Sequence, residues 1–277
     1  DTAEFTIKDN ESGNEDGGGI TFTIELSNPV SEETSVAVSA ADGTATIADS
    51  DYTALSGVEV IFAAGSTSET FEVLPTDDYK VEGDETFTVS LGAVTSSYGT
   101  VTASAATKTG TINDNVDTAE FTIKDNESGN EDGGPITFTI ELSNPVDEAT
   151  SVAVSTADGT ATEADSDYTA LSGVVVNFAA GDTSKTFEVV PTSDSTVEGD
   201  ETFTVSLGAV TGGYGQVTAS AATKTGTIND NVDTAEFTIK DNESGNEDGG
   251  PITFTIELSN PVSEETKVAV TSQTVLD

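Results

Sequence analysis

An all-β fold repeated in tandem is predicted for this chain by three observations. The first is strict alternation: Ile20, Phe22, Ile24 and Leu26 alternate with polar residues, as do Phe87, Val89 and Leu91, which is the period-2 signature of half-buried strands. The second is punctuation, with Gly, Pro, Asn and Asp clusters closing each short apolar run. The third is repetition. Asp1, Asp117 and Asp233 each open DTAEFTIKDNESGNEDGG, a period of 116 residues. Each full period has the size of one domain and is well beyond the 20–50 residues of a solenoid unit. About seven short alternating strands in such a length is the pattern of an immunoglobulin-like antiparallel β-sandwich. The expected organisation is therefore a sandwich over residues 1–116, a second over 117–232, and an incomplete third copy over 233–277 holding strands A to C only.

In the first repeat the strands are expected at Ala3–Lys8 (A), Ile20–Leu26 (B), Ser35–Ala40 (C), Val58–Ala63 (D), Glu69–Leu74 (E), Glu85–Leu91 (F) and Thr107–Asn113 (G). Phe5, Phe22, Phe62, Phe71 and Phe87 fall on the apolar phase and are assigned to the core. Val94–Ala106 has the least determined pattern, with room for an extra short strand. Asp42-Gly43-Thr44 and Asp158-Gly159-Thr160 are read as turns, with Gly supplying positive φ and Asp capping. Tyr52 is read as packing at a loop base. The tail TSQTVLD (271–277) departs from the repeat.

Composition narrows the chemistry. The 277 residues include no Cys, Met, Trp or His, and the eight basic residues are all Lys. Disulfides, thiolate sites and the usual catalytic triads are thereby excluded, and zinc and copper sites lose their common ligands. A net charge of −43 excludes a nucleic-acid binder and disfavours docking on anionic lipid. Disorder, the usual reading of an acidic chain poor in aromatics, does not explain the strict strand register. No stretch reaches the length of a membrane span, and no charged-then-apolar leader opens the sequence.

Hard oxygen ligands remain, and they are concentrated. Thr76–Phe87, TDDYKVEGDETF, carries Asp77, Asp78, Glu82, Asp84 and Glu85. Carboxylates that close repel unless a cation sits among them, and Ca²⁺ takes six to eight oxygen ligands in flexible geometry. The stretch recurs as TSDSTVEGDETF at 192–203. If each connection reverses the chain direction, loops AB, CD and EF and the exit of strand G share one pole. That pole then gathers Glu15, Asp16, Asp49, Asp51, Asp77, Asp78, Glu82, Glu85, Asp114 and Asn115, whereas the DE turn and the FG segment carry no acid.

The order DGTAT (42–46), DYTALSG (51–57), VIFAAGSTSETF (60–71), the EGDETF loop and TGTINDN (109–115) resembles the Calx-β family over nearly the whole repeat. The resemblance implies an immunoglobulin-like sandwich whose loops bind Ca²⁺. Its ligands carry over to Glu15, Asp51, Asp77, Asp78, Glu82, Glu85 and Asp114, and in the second repeat to Glu131, Asp167, Asp194, Glu198, Glu201 and Asp230. The family's closing acid run is replaced by Asn115 and Val116 before Asp117, and Ser193 stands where Asp77 stood. The lost carboxylate leads to the expectation that the second repeat binds calcium more weakly or takes fewer ions. Lys80, whose counterpart is Thr196, is expected to turn its flexible stem into solvent.

Other motifs yield to simpler readings. DNESGNEDGG lacks the acids and the glycine of an EF-hand loop at the required places. Asn10-Glu-Ser is formally a glycosylation sequon, read here as coincidental. Paired carboxylates without Trp for a sugar to stack upon do not make a glycosidase, and no enzymatic activity is expected. The expected role is a calcium-rigidified repeat region of a large secreted or cell-surface protein, bacterial, with neighbouring repeats and an adhesion target as partners. A calcium-sensing pair in a membrane transporter and an accessory module of a secreted enzyme are the alternatives.

Overall fold

The computed structural model describes residues 1–98 and 100–273; the last four residues of the divergent tail lie outside the described residues. The first repeat contains nine strands: β1 (Ala3–Ile7), β2 (Glu11–Asn14), β3 (Ile20–Leu26), β4 (Thr34–Asp42), β5 (Val58–Phe62), β6 (Ser68–Val73), β7 (Glu85–Thr95), β8 (Val101–Ala103) and β9 (Lys108–Asn113). They form a four-stranded sheet in the order β6-β3-β1-β8 and a five-stranded sheet in the order β2-β9-β7-β4-β5. The second repeat has β10 (Ala119–Ile123), β11 (Glu127–Asn130), β12 (Ile136–Leu142), β13 (Thr150–Asp158), β14 (Val174–Phe178), β15 (Ser184–Val189), β16 (Glu201–Thr211), β17 (Val217–Ala219) and β18 (Lys224–Asn229) in the equivalent orders. Two compact units make up the chain, one built on Asp1–Ala119 and the other on Glu120–Ser143 with Thr150–Thr211.

The seven expected strands are present, and two more appear. The expected strand A is the first half of a longer path: β1 pairs antiparallel with β3, and after Asp9 and Asn10 the chain crosses to the other sheet, where β2 pairs parallel with β9. At the crossing, the Thr109 N–H donates to Asn10 Oδ1 at 2.9 Å, so a side chain supplies the acceptor that the departing backbone does not. Asn126 does the same for Thr225 at 2.9 Å. Asn10 thus has a structural task that is independent of its sequon. The undetermined Val94–Ala106 segment extends β7 and supplies β8, which pairs parallel with β1. The sandwich is antiparallel apart from these two pairings.

The core is aromatic. Phe5, Phe22, Phe62, Phe71 and Phe87 are all buried, with Phe5 against Phe62 at 4.9 Å and Phe22 stacked on its cross-strand partner Phe71 at 5.3 Å. Gly110 in β9 lies over the Phe87 ring; an added Cβ there would come within 2.2 Å of its Cζ. The turn at Gly43 departs from expectation in its reason, because the residue is not among those with positive φ. Its need is close approach: a Cβ would meet the Thr86 carbonyl oxygen at 2.3 Å.

The third copy forms β19 (Phe237–Ile239) and β20 (Ile256–Leu258), the counterparts of β1 and β3. The expected strand C does not form among the described residues. In the full repeats β4 hydrogen-bonds to β5 and β7, and residues 233–277 contain no counterpart of either. Ile239, Ile252, Phe254 and Ile256 are correspondingly exposed. Among the described residues, no helix is long and apolar enough to cross a membrane.

Candidate metal centre

Four chain segments of the first repeat converge at one end of the sandwich. Glu15 follows β2, and its N–H continues the β2–β9 pairing by donating to Asn113 O at 3.0 Å, which buries its side chain. Asp51 lies in the loop between β4 and β5. There Ser50 adopts φ 73°, a left-handed conformation costly for a non-glycine residue. Asp51 Oδ2 accepts from Thr46 N–H at 2.6 Å, and its carbonyl accepts from Thr76 N–H at 3.0 Å. Beside it the buried Tyr52 stacks on Phe87 at 5.0 Å and donates to Asp42 Oδ1 at 2.7 Å, the packing role expected of it. Glu82 and Glu85 come from the loop before β7 and its first residue. Asp114 follows β9, with its N–H donating to Asp84 Oδ1 at 3.1 Å.

Glu15, Asp51, Glu82, Glu85 and Asp114, with Thr76, Gly83 and Ile112, line one cavity. In the second repeat Glu131, Asp167, Glu198, Glu201 and Asp230, with Thr192, Gly199 and Ile228, line its counterpart. Carboxylate oxygens of Asp51, Glu82 and Glu85 lie within 4.8 Å of one another, as do those of Glu15, Asp78 and Glu82, so Glu82 belongs to both groups. Asp167, Glu198 and Glu201 form the equivalent of the first group.

The remaining sequence candidates lie outside the cavity lining. Asp78 donates its N–H to Glu15 Oε1 at 2.9 Å, and Asp194 donates to Glu131 Oε1 at 2.6 Å. Asp77 is exposed, and its Oδ1 accepts from Asn115 Nδ2 at 2.7 Å. Asp16 and Asp49 are exposed as well. Asp117 was not among the sequence candidates. Its carboxyl is raised from its ordinary value by burial and then by Asp77 and Asp78, and its Oδ2 is buried without a hydrogen-bond partner. The available signal was the Asp114–Asp117 spacing, closed by a tight turn in which Asp117 N–H donates to Asn115 O at 3.0 Å.

The donor set fits a hard divalent cation. Every charged ligand atom is a carboxylate oxygen, and a buried oxygen in each repeat lacks a hydrogen-bond partner: Asp114 Oδ1 in the first, Asp230 Oδ1 in the second. Buried polar atoms are normally satisfied, and unpartnered carboxylate oxygens among like charges are what Ca²⁺ coordination uses.

A family model described as Calx-beta domain matches residues 1–127 and again 113–233. The chain belongs to the Calx-beta family. It is similar to the solved structure of CBD12 from CALX1.2, with 19% identity over 82% of this chain and 99% of that one and a TM-score of 0.38. It is similar also to the apo-form Calx CBD1 domain, with 21% identity over 42% of this chain and 100% of that one and a TM-score of 0.37. A two-domain protein of unknown function from Bacteroides fragilis aligns at 10% identity over 69% of this chain and 84% of that one, with a TM-score of 0.30. No curated protein matches.

Both Calx-beta repeats hold their acids under electrostatic stress. Burial, followed by the Asp51 charge, pushes Glu85 up to about 8. Burial pushes Glu82 up to about 7 even though Lys80 works against it. In the second repeat Glu198 and Glu201 are each pushed to about 7 by burial together with Asp167. Glu15 is raised by burial, partly offset by the Asp78 N–H. Contrary to the sequence expectation, Lys80 does not turn to solvent. Its Nζ lies 3.0 Å from Glu82 Oε2, an ion-pair distance, though that oxygen gains no well-directed hydrogen bond. The concentration of negative charge outweighs the stem's freedom.

Proposed function

We propose that this chain is a calcium-binding structural repeat region of a large extracellular or cell-surface protein, in which Ca²⁺ holds each Calx-beta sandwich and the exit of its last strand. The observation that carries the reading is the recurrence, one period apart, of a cavity lined by five carboxylates from four separate segments. Glu15 or Glu131, Asp51 or Asp167, Glu82 or Glu198, Glu85 or Glu201 and Asp114 or Asp230 would hold the ion. Asp78 and Asp194 would support the site through their N–H bonds to Glu15 and Glu131. When bound, Ca²⁺ supplies positive charge and coordination that join loops remote in sequence.

The near-identity of the copies favours an array whose requirement is length. Asp114 lines the first cavity and lies only five residues before β10 begins at Ala119, too short a stretch for a free coil, so an ion held there would also restrain the link. The calcium-sensing reading draws support from the non-equivalence of the two sites, Asp77 and Lys80 against Ser193 and Thr196. Many further copies and a secretion signal in the flanking sequence would favour the array, transmembrane helices the sensor. The calcium reading itself is tested by melting the chain in EDTA and in millimolar Ca²⁺. A ligand bound only to the folded form at a hundredfold excess over Kd adds about 2.7 kcal/mol, so a rise of several degrees is expected; identical curves overturn the reading.

A further inference from the structure

The first repeat brings a cation of its own to its carboxylates. Lys80 Nζ lies 3.0 Å from Glu82 Oε2, with the two side chains only 23% and 7% exposed. The other lysine ion pairs among the described residues are solvated; Lys8 and Glu25, for example, are 53% and 48% exposed. Glu82 is also the carboxylate common to both groups of close acids, Glu15–Asp78–Glu82 and Asp51–Glu82–Glu85. The ammonium therefore touches the most shared oxygen donor of the site.

The second repeat has no such charge. Thr196 takes the equivalent position, and its hydroxyl donates to Asp194 Oδ2 at 3.1 Å. The loop backbone is otherwise the same: Lys80 N–H donates to Asp78 Oδ1 at 2.6 Å and Thr196 N–H to Asp194 Oδ1 at 2.6 Å. The five lining carboxylates are the same in both cavities, and the side-chain cation stands beside them in the first repeat alone.

We propose that Lys80 is an internal competitor of the metal ion, which neutralises the first repeat's carboxylates when no ion is bound and must leave Glu82 before one binds. This inference rests on the calcium reading above. Calcium coordinates carboxylate oxygens at about 2.3–2.6 Å, so an ammonium held 3.0 Å from the same carboxylate oxygen would sit beside the dication and repel it strongly. The second repeat therefore loads first, and the first repeat stands better without calcium. The ranking is opposite to the one expected from the lost carboxylate at Ser193 with Lys80 turned to solvent. Asp77, the residue Ser193 replaces, is engaged by Asn115 outside the cavity, whereas Lys80 contacts a residue that lines it.

The test uses the full chain, its Lys80→Thr variant and its Thr196→Lys variant, each titrated with Ca²⁺ by calorimetry and melted in EDTA. Wild type is expected to show a tighter and a weaker class of site. Lys80→Thr should tighten the weaker class by about three- to tenfold, drawing the two classes together, and lower the melting temperature in EDTA. Thr196→Lys should weaken the tighter class by a similar factor and raise melting in EDTA. Unchanged affinities with unchanged EDTA melting in both variants overturn the competitor role while leaving the calcium reading intact. Failure of all three proteins to take up Ca²⁺ overturns the calcium reading and this proposal with it.

Discussion

The backbone N–H of Asp78 donates to Glu15 Oε1 at 2.9 Å, joining two loops 63 residues apart. Because the acceptor is one of the buried acids of the cavity, this single bond ties the loop after β2 to the loop before β7. Removing the charge and removing the acceptor should therefore have separable effects. In EDTA, Glu15→Gln keeps an acceptor and relieves repulsion, so its melting temperature should match or exceed wild type while the calcium-induced rise shrinks. Glu15→Ala also strands the Asp78 N–H and should lie below Glu15→Gln by about 1–3 kcal/mol. Equal melting of the two variants would show that the bond contributes nothing.

The raised carboxyls make a pH prediction of definite sign. Glu85 at about 8 and Glu82 at about 7 exceed the ordinary Glu value of about 4.3, so the folded form binds protons more tightly than the unfolded one. Stability from this source is fully present below the unfolded value and is lost as pH rises through 7 to 8. Melting in EDTA should fall between about pH 5 and about pH 8.5. Calcium requires the ionised acids, so its affinity should rise over the same range, with protons released on binding at neutral pH. EDTA melting that climbs with pH would refute the assignment.

Gly110 is required by the core. A Cβ there would lie 2.2 Å from Phe87 Cζ, and Gly226 faces Phe203 at the same 2.2 Å. Gly110→Ala should cost about 1–3 kcal/mol, the range for overpacking, with no change in calcium stoichiometry. Adding Phe87→Leu should recover part of the loss, giving a favourable coupling energy in a double-mutant cycle. Additive losses would place the strain elsewhere.

Calcium should stiffen the link between repeats. The first repeat carries 21 acids against 3 lysines and the second 20 against 3, net −18 and −17, and self-repulsion of this kind opposes compact, ordered states until cations bind. Small-angle scattering is expected to give a longer, narrower distance distribution in Ca²⁺ than in EDTA. Asp114→Asn should reduce the difference, and an unchanged profile in wild type would count against a site at the strand exit.

The sequence by itself determined the period, seven of the nine strands of each full repeat and the core, because these depend on local pattern. Phe22 and Phe87 declare their burial through alternation with neighbours one residue away, and no knowledge of pairing partners is needed to see it. Parity of chain reversals was enough to collect Glu15, Asp51, Glu82, Glu85 and Asp114 at one pole, and they do line one cavity. Only the tertiary structure decided how the ends of that pattern are used. The crossing after Asp9 depends on Asn10 finding Thr109 across 99 residues, a hydrogen bond with no local periodicity to betray it. Adjacent loop residues such as Asp77 and Asp78 are equivalent in composition, and their separation came from distant partners, Asn115 for one and Glu15 for the other. The same holds for Lys80: chain flexibility argued for solvent, but the field of acids brought together from four segments holds it against Glu82, and that field exists only once the chain is folded.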